Sequence, residues 1–135
     1  MRRLATLALA ASIATYLLIV LGGLVRATGA GLACPDWPLC HGRLIPPLQG
    51  LVLVEYAHRL VASLVGILTL VLAITAWRRG LFRWHALLAL ALVGVQILLG
   101  GLTVRTELTA GLVVAHLGTA MMFFATLVGL TLRAW

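Results

Sequence analysis

Glu55, His58 and Arg59 stand close together where a run of apolar residues long enough to cross a bilayer begins. Ionisable groups at such a place are costly, and those that persist pair with one another, relay protons or hold a ligand. Glu55 and His58 are spaced i, i+3 and project from one face of a helix. A second histidine, His116, lies at a matching depth in a later apolar stretch. Two imidazoles on two helices of one bundle can approach a single object from opposite sides, the arrangement that holds a haem iron by its axial positions. Zinc would want four ligands, and only Glu55 is at hand as a third. The Glu-x-x-His spacing also belongs to di-iron carboxylate bundles. That site needs a second such motif and further carboxylates, and only Asp36 and Glu107 are left, so it is rejected. The bland alternative is that each histidine hydrogen-bonds a neighbouring helix.

Other residues fit around this pair. Arg26, Arg59 and Arg105 fall at or near the outer boundary, where guanidinium groups could meet the propionates of a haem or balance nearby charge. Arg26 and Arg105 could equally just mark helix ends. A carboxylate at Glu55 could relay protons or stabilise developing charge, or could pair with Arg59 or Arg105. The pairs Gly22-Gly23 and Gly100-Gly101 could let a flat macrocycle approach backbone, or could serve helix packing. Cys34 and Cys40 enclose a short loop with two prolines and a tryptophan. The loop could close into a disulfide ring over the bundle's outer end, or exchange electrons with a reductant. His41 reads as a solvated loop residue and His85 as an interfacial one.

The elements that must position these groups are membrane helices. The chain of 135 residues is 63% hydrophobic and 10% charged, with a mean hydropathy of +1.15. A soluble domain of this size could not hide so much apolar surface. Apolar segments at roughly 4–25, 51–77, 84–104 and 110–132 predict four crossings, with a long exterior loop over 26–50. The formal charge of +7 does not indicate nucleic acid, because the arginines flank apolar runs instead of forming a patch. Arg2, Arg3, Arg78, Arg79, Arg83 and Arg133 fall on one side, and Arg26, Arg43 and Arg105 on the other. The positive-inside rule then places both termini in the cytoplasm and the cysteine loop outside, where a disulfide persists. The first apolar run could pass for a signal peptide, but its length and its lack of a small-residue cleavage site predict a retained helix. The expected fold is an all-α, multi-pass cell-membrane bundle of four helices in one domain, 1–135. Helices 1–2 and 3–4 read as two copies of one hairpin, with Gly22-Gly23-Leu24 echoed by Gly100-Gly101-Leu102 and His58 by His116.

Taken together, the motifs resemble the haem A synthase family. The resemblance rests on residues 22–32 (GGLVRATGAGL), 34–40 (CPDWPLC), 42–47 (GRLIPP), 55–59 (EYAHR) and 96–104 (QILLGGLTV), with His116 in the place of the fourth-helix ligand. It implies oxidation of haem O at the C8 methyl, through successive hydroxylations, to the formyl group of haem A for terminal oxidases. It further implies that His58 and His116 flank the substrate haem, that Glu55 is the acid required for turnover, and that Cys34 and Cys40 form the exterior-loop pair found in part of the family.

One departure matters. Most members of that family have eight crossings in two halves, the second half holding a haem B that passes electrons. This chain has one half, of the N-terminal, catalytic type. Self-association into a homo-oligomer, in which one copy carries the haem B, is the expected solution; a separate electron donor is another. Haem O synthase is an expected neighbour as the source of substrate. The competing reading is a non-catalytic haem-binding membrane protein, either a b-type bis-histidine electron-transfer cytochrome or a haem O/A carrier. A structural subunit without haem is a third.

Overall fold

A computed structural model describes residues 2–135. Four helices make up the fold: α1 Arg2–Thr28, α2 Gly50–Arg79, α3 Arg83–Arg105 and α4 Ala110–Ala134. Each runs slightly beyond an apolar segment of the sequence and is long enough and apolar enough to cross a membrane. At about 1.5 Å per residue the shortest exceeds the roughly 30 Å of a hydrocarbon core. The chain is therefore a multi-pass membrane protein, and an even number of crossings brings its two ends to the same side.

Helix ends follow local chemistry. At the end of α2, Gly80 takes a left-handed φ of 66°. Its N–H donates to Trp77 O, and that of Leu81 to Ala76 O, a glycine-capped terminus. The end of α3 has the same pair of bonds, Glu107 N–H to Val104 O and Leu108 N–H to Thr103 O. There the left-handed position is Glu107, at φ 51°, which an L side chain adopts at some cost. Among the described residues the one long connection lies between α1 and α2, with one short 3-10 turn at Ala30–Leu32.

The helices form a ring in chain order: α1 packs on α2, α2 on α3, α3 on α4 and α4 back on α1. α2 and α4 are thus diagonal partners. The buried apolar core draws on all four but occupies only one end of the bundle. It includes Leu4, Ala8, Ala11, Val65, Leu72, Ala76, Ala89, Val93, Phe123, Leu127 and Leu130. Small residues dominate on α1 and α3, which lets the backbones approach closely. Buried hydroxyls at the same end are satisfied locally. Ser12 donates to Ala8 O, Thr131 to Leu127 O, and the two hydroxyls meet across α1 and α4 at 3.2 Å.

Candidate functional site

The core stops short of the histidines. Its uppermost residue on α2 is Val65 and on α4 is Phe123. His58 and His116 each lie two turns above these, about 10 Å further along the helix axis. The two histidines therefore occupy equivalent heights on diagonal helices, beyond the main apolar cluster.

Glycines shape the space around each ring. A Cβ at Gly22 would stand 3.2 Å from Cε1 of His58, and one at Gly100 would stand 3.6 Å from Cε1 of His116. The first glycine of each repeated pair thus faces the histidine of its own hairpin. The second glycines differ. A Cβ at Gly101 would press on the Trp37 ring at 3.1 Å, whereas Gly23 faces open space.

Neither imidazole is satisfied by the protein. Nδ1 of His58 and Nδ1 of His116 are buried without a hydrogen-bond partner among the described residues. Leaving such a nitrogen unpaired costs about 1–3 kcal/mol, so buried polar atoms of this kind call for an explanation. The explanation in which each ring hydrogen-bonds a neighbouring helix is not what the geometry contains. Two unpartnered imidazoles at one level, beside glycines and beyond the packed core, fit a flat metal-bearing ligand that His58 and His116 would hold. No group of three or more His, Cys, Asp or Glu side chains among the described residues could hold a bare metal ion.

Glu55 is 5% exposed and accepts a hydrogen bond from Arg59 Nε at its Oε1, 2.8 Å away. Among the described residues Oε2 has no such bond. Of the two arginines open to it on the sequence, Glu55 pairs with Arg59. The rest of that guanidinium is turned to the loop between α1 and α2. It donates to Asp36 O at 2.8 Å, Leu39 O at 2.7 Å and Cys34 O at 2.9 Å. Four of the five N–H groups a guanidinium carries are therefore engaged within the protein. Arg26 and Arg105 are exposed at the ends of α1 and α3 nearest the disulfide loop, with no ion pair among the described residues.

Cys34 and Cys40 form a disulfide, with Cα atoms 4.7 Å apart. The ring carries its own internal brace. Asp36 accepts the backbone N–H groups of His41 and Gly42 at 2.6 and 2.7 Å. The Gly42 bond is the main cause of an Asp36 carboxyl held below its usual value. His41 is fixed in turn, with Nε2 2.9 Å from Ala33 O. At the other end of the bundle His85 meets Arg133, 2.6 Å from Nε2 to the guanidinium, well away from His58 and His116.

Two residues near the site stand inside the quoted motifs but had no role assigned from the sequence. Gln96 on α3 donates to His116 O at 2.8 Å, tying α3 to α4 at the level of the histidine. Its signal was a lone amide inside an apolar helix, which in a membrane seeks a partner on a neighbour. Trp37 reaches from the disulfide loop to Gly101, a contact that no local pattern announces.

Fold and site together define an all-α membrane bundle with a diagonal histidine pair under a disulfide-closed loop. Residues 5–135 match the profile of the cytochrome oxidase assembly protein family. The chain belongs to that family. A haem A synthase of Symbiobacterium thermophilum is 50% identical over 91 residues, covering 65% of this chain and 30% of the relative. One of Alkalihalophilus pseudofirmus is 34% identical over 140 aligned positions, 99% of this chain and 47% of the relative. A protoheme IX farnesyltransferase of Halobacterium salinarum is 39% identical over 123 residues, 88% of this chain and 27% of that protein. The chain thus spans less than half the length of each of these relatives.

Proposed function

We propose that this chain is a haem A synthase that binds haem O between His58 and His116 and oxidises its C8 methyl to a formyl group. The observation that carries the proposal is the pair of unpartnered imidazoles at one height on diagonal helices, with buried Glu55 one turn from His58. The similarity to haem A synthases over nearly the whole chain supports it. The bound haem supplies the iron at which the oxidation is carried out. The protein's own residues do the rest. His58 and His116 hold the macrocycle from two sides, while Gly22 and Gly100 keep the rings' flanks clear. Glu55, with Oε2 unencumbered, takes or gives the proton at the reacting edge, and Arg59 holds Oε1. Arg26 and Arg105, both exposed, would meet the propionates.

Each hydroxylation takes one oxygen atom from an oxidant of the dioxygen class and reduces the other to water, so it draws two electrons and two protons from outside the catalytic haem. A second copy carrying haem B is the proposed source, or a separate donor in the membrane. Self-association suits the least covered helix: only 11% of the apolar window of α4 is buried, against 28–33% for the others. A haem O synthase is the proposed neighbour that delivers substrate, supported by the similarity to part of a protoheme IX farnesyltransferase.

One observation favours a second reading, a haem carrier or b-type electron-transfer cytochrome: Glu55 already has an ion-pair partner and could be purely structural. Expression in a host that supplies haem O, followed by extraction, chromatography and mass measurement, separates the two. Haem A or its hydroxylated precursor is expected, and Glu55→Ala should retain haem but lose the conversion. Haem O or haem B alone in the extract would overturn the synthase reading in favour of the second.

A further inference from the structure

Arg59 joins three parts of the molecule that the sequence keeps apart. Its Nε holds Glu55, one turn back along α2. Its two terminal nitrogens hold the carbonyls of Cys34, Asp36 and Leu39, all within the ring that the Cys34–Cys40 disulfide closes. The side chains are 15% and 7% exposed for Arg59 and Glu55, so these charge-assisted bonds are largely shielded from water. Three carbonyl oxygens converge on one guanidinium only while the ring keeps its shape. With the far end of the group fixed in this way, Nε has one direction in which to point, and Oε1 of Glu55 lies there.

We propose that Arg59 is a positioning residue through which the Cys34–Cys40 ring sets the orientation of the Glu55 carboxylate. The exterior loop then does more than cover the bundle: its redox state reaches the acid beside His58. Opening the ring takes two electrons and two protons from a dithiol, which leaves as its own disulfide. The S–S bond breaks, and Cys34 and Cys40 become thiols. Arg59 then loses the three acceptors that aim it, and Glu55 is free to turn. The catalytic meaning of this coupling rests on the haem A synthase reading, but the coupling itself belongs to the chain without haem.

The test is infrared difference spectroscopy on the purified protein in detergent. The Glu55 signal is the carboxyl band that disappears in Glu55→Gln. Dithiothreitol, with thiol titration to establish full reduction, should shift that band in the unmodified sequence. In Arg59→Lys the band should be displaced before reduction and should not respond to it, because an ammonium cannot reach all four acceptors at once. The double variant Cys34→Ser/Cys40→Ser, which leaves Arg59 in place, should show the reduced-type band without any reductant. A Glu55 band that stays fixed on full reduction overturns the proposal, as does an undiminished response in Arg59→Lys. Haem extraction from the same preparations keeps the two ideas apart. A shifting band without haem A upholds the coupling and sinks the synthase reading; haem A with a fixed band does the reverse.

Discussion

Gly22 provides the space in which the His58 ring lies. A methyl group there would stand 3.2 Å from Cε1, closer than such contacts ordinarily come, while the same addition at Gly100 would rest against His116 at an ordinary 3.6 Å. The two hairpins thus repeat one relationship at two tightnesses.

The difference is measurable. Gly22→Ala should displace the His58 ring, lowering haem occupancy or changing the visible spectrum of the loaded protein. Gly100→Ala should change the spectrum less than Gly22→Ala does, and should stabilise α3, since alanine in a helix interior is favoured over glycine by about 0.8–1 kcal/mol. Equal spectral damage from both substitutions would contradict the unequal fit.

His58→Ala and His116→Ala should each abolish haem retention, read as haem per chain after purification. The ligand-free variants should melt no lower than the ligand-free parent. Each removes a buried nitrogen without a partner, a relief of about 1–3 kcal/mol set against a modest loss of packing. A large drop in the melting temperature of either would mark that histidine as a structural member of the bundle.

Gln96→Leu keeps the bulk and removes the bond to His116 O. Cross-helix bonds of this kind contribute about 0.6 kcal/mol on average in membranes, with about 1.7 kcal/mol at the top of the range. The expected loss of stability is of that size, with a spectral change in the haem-loaded protein because α4 shifts at the ligand. Loss of stability with an unaltered spectrum would confine Gln96 to packing.

Acid should loosen the disulfide loop. Asp36 is held below its ordinary 3.8 chiefly by the Gly42 N–H, with His41 assisting. A carboxylate depressed in the folded state contributes stability above the unfolded value and loses it as pH falls through the lower, folded one. The rate at which a phosphine reductant opens Cys34–Cys40 should therefore rise as pH drops below about 3.8. Asp36→Asn should show the faster rate already at neutral pH, since an amide presents only one acceptor oxygen.

Much of this architecture is legible in the sequence because membranes impose simple rules. Length and apolarity give the four helices, and the depths of His58 and His116 follow from a constant rise per residue. The repeated Gly-Gly pairs were legible as a pattern, but the ring each glycine faces depends on helix rotation, which the apolar surface does not encode. Arg59 was harder still. Its position suggested a propionate or a nearby charge, yet three of its acceptors are main-chain carbonyls roughly twenty residues away, and no residue type at those positions signals a carbonyl. Asp36 likewise looked like a leftover carboxylate until the loop's fold brought the His41 and Gly42 amides to it.

The confinement of the apolar core to one end of the bundle has a further consequence. Backbone amides around Leu72, Ala89 and Leu127 should exchange with solvent deuterium only when the whole bundle opens, whereas those around the histidines need only local fluctuations. If haem is bound as proposed, it would enter and leave at one end while the other holds the four helices in register.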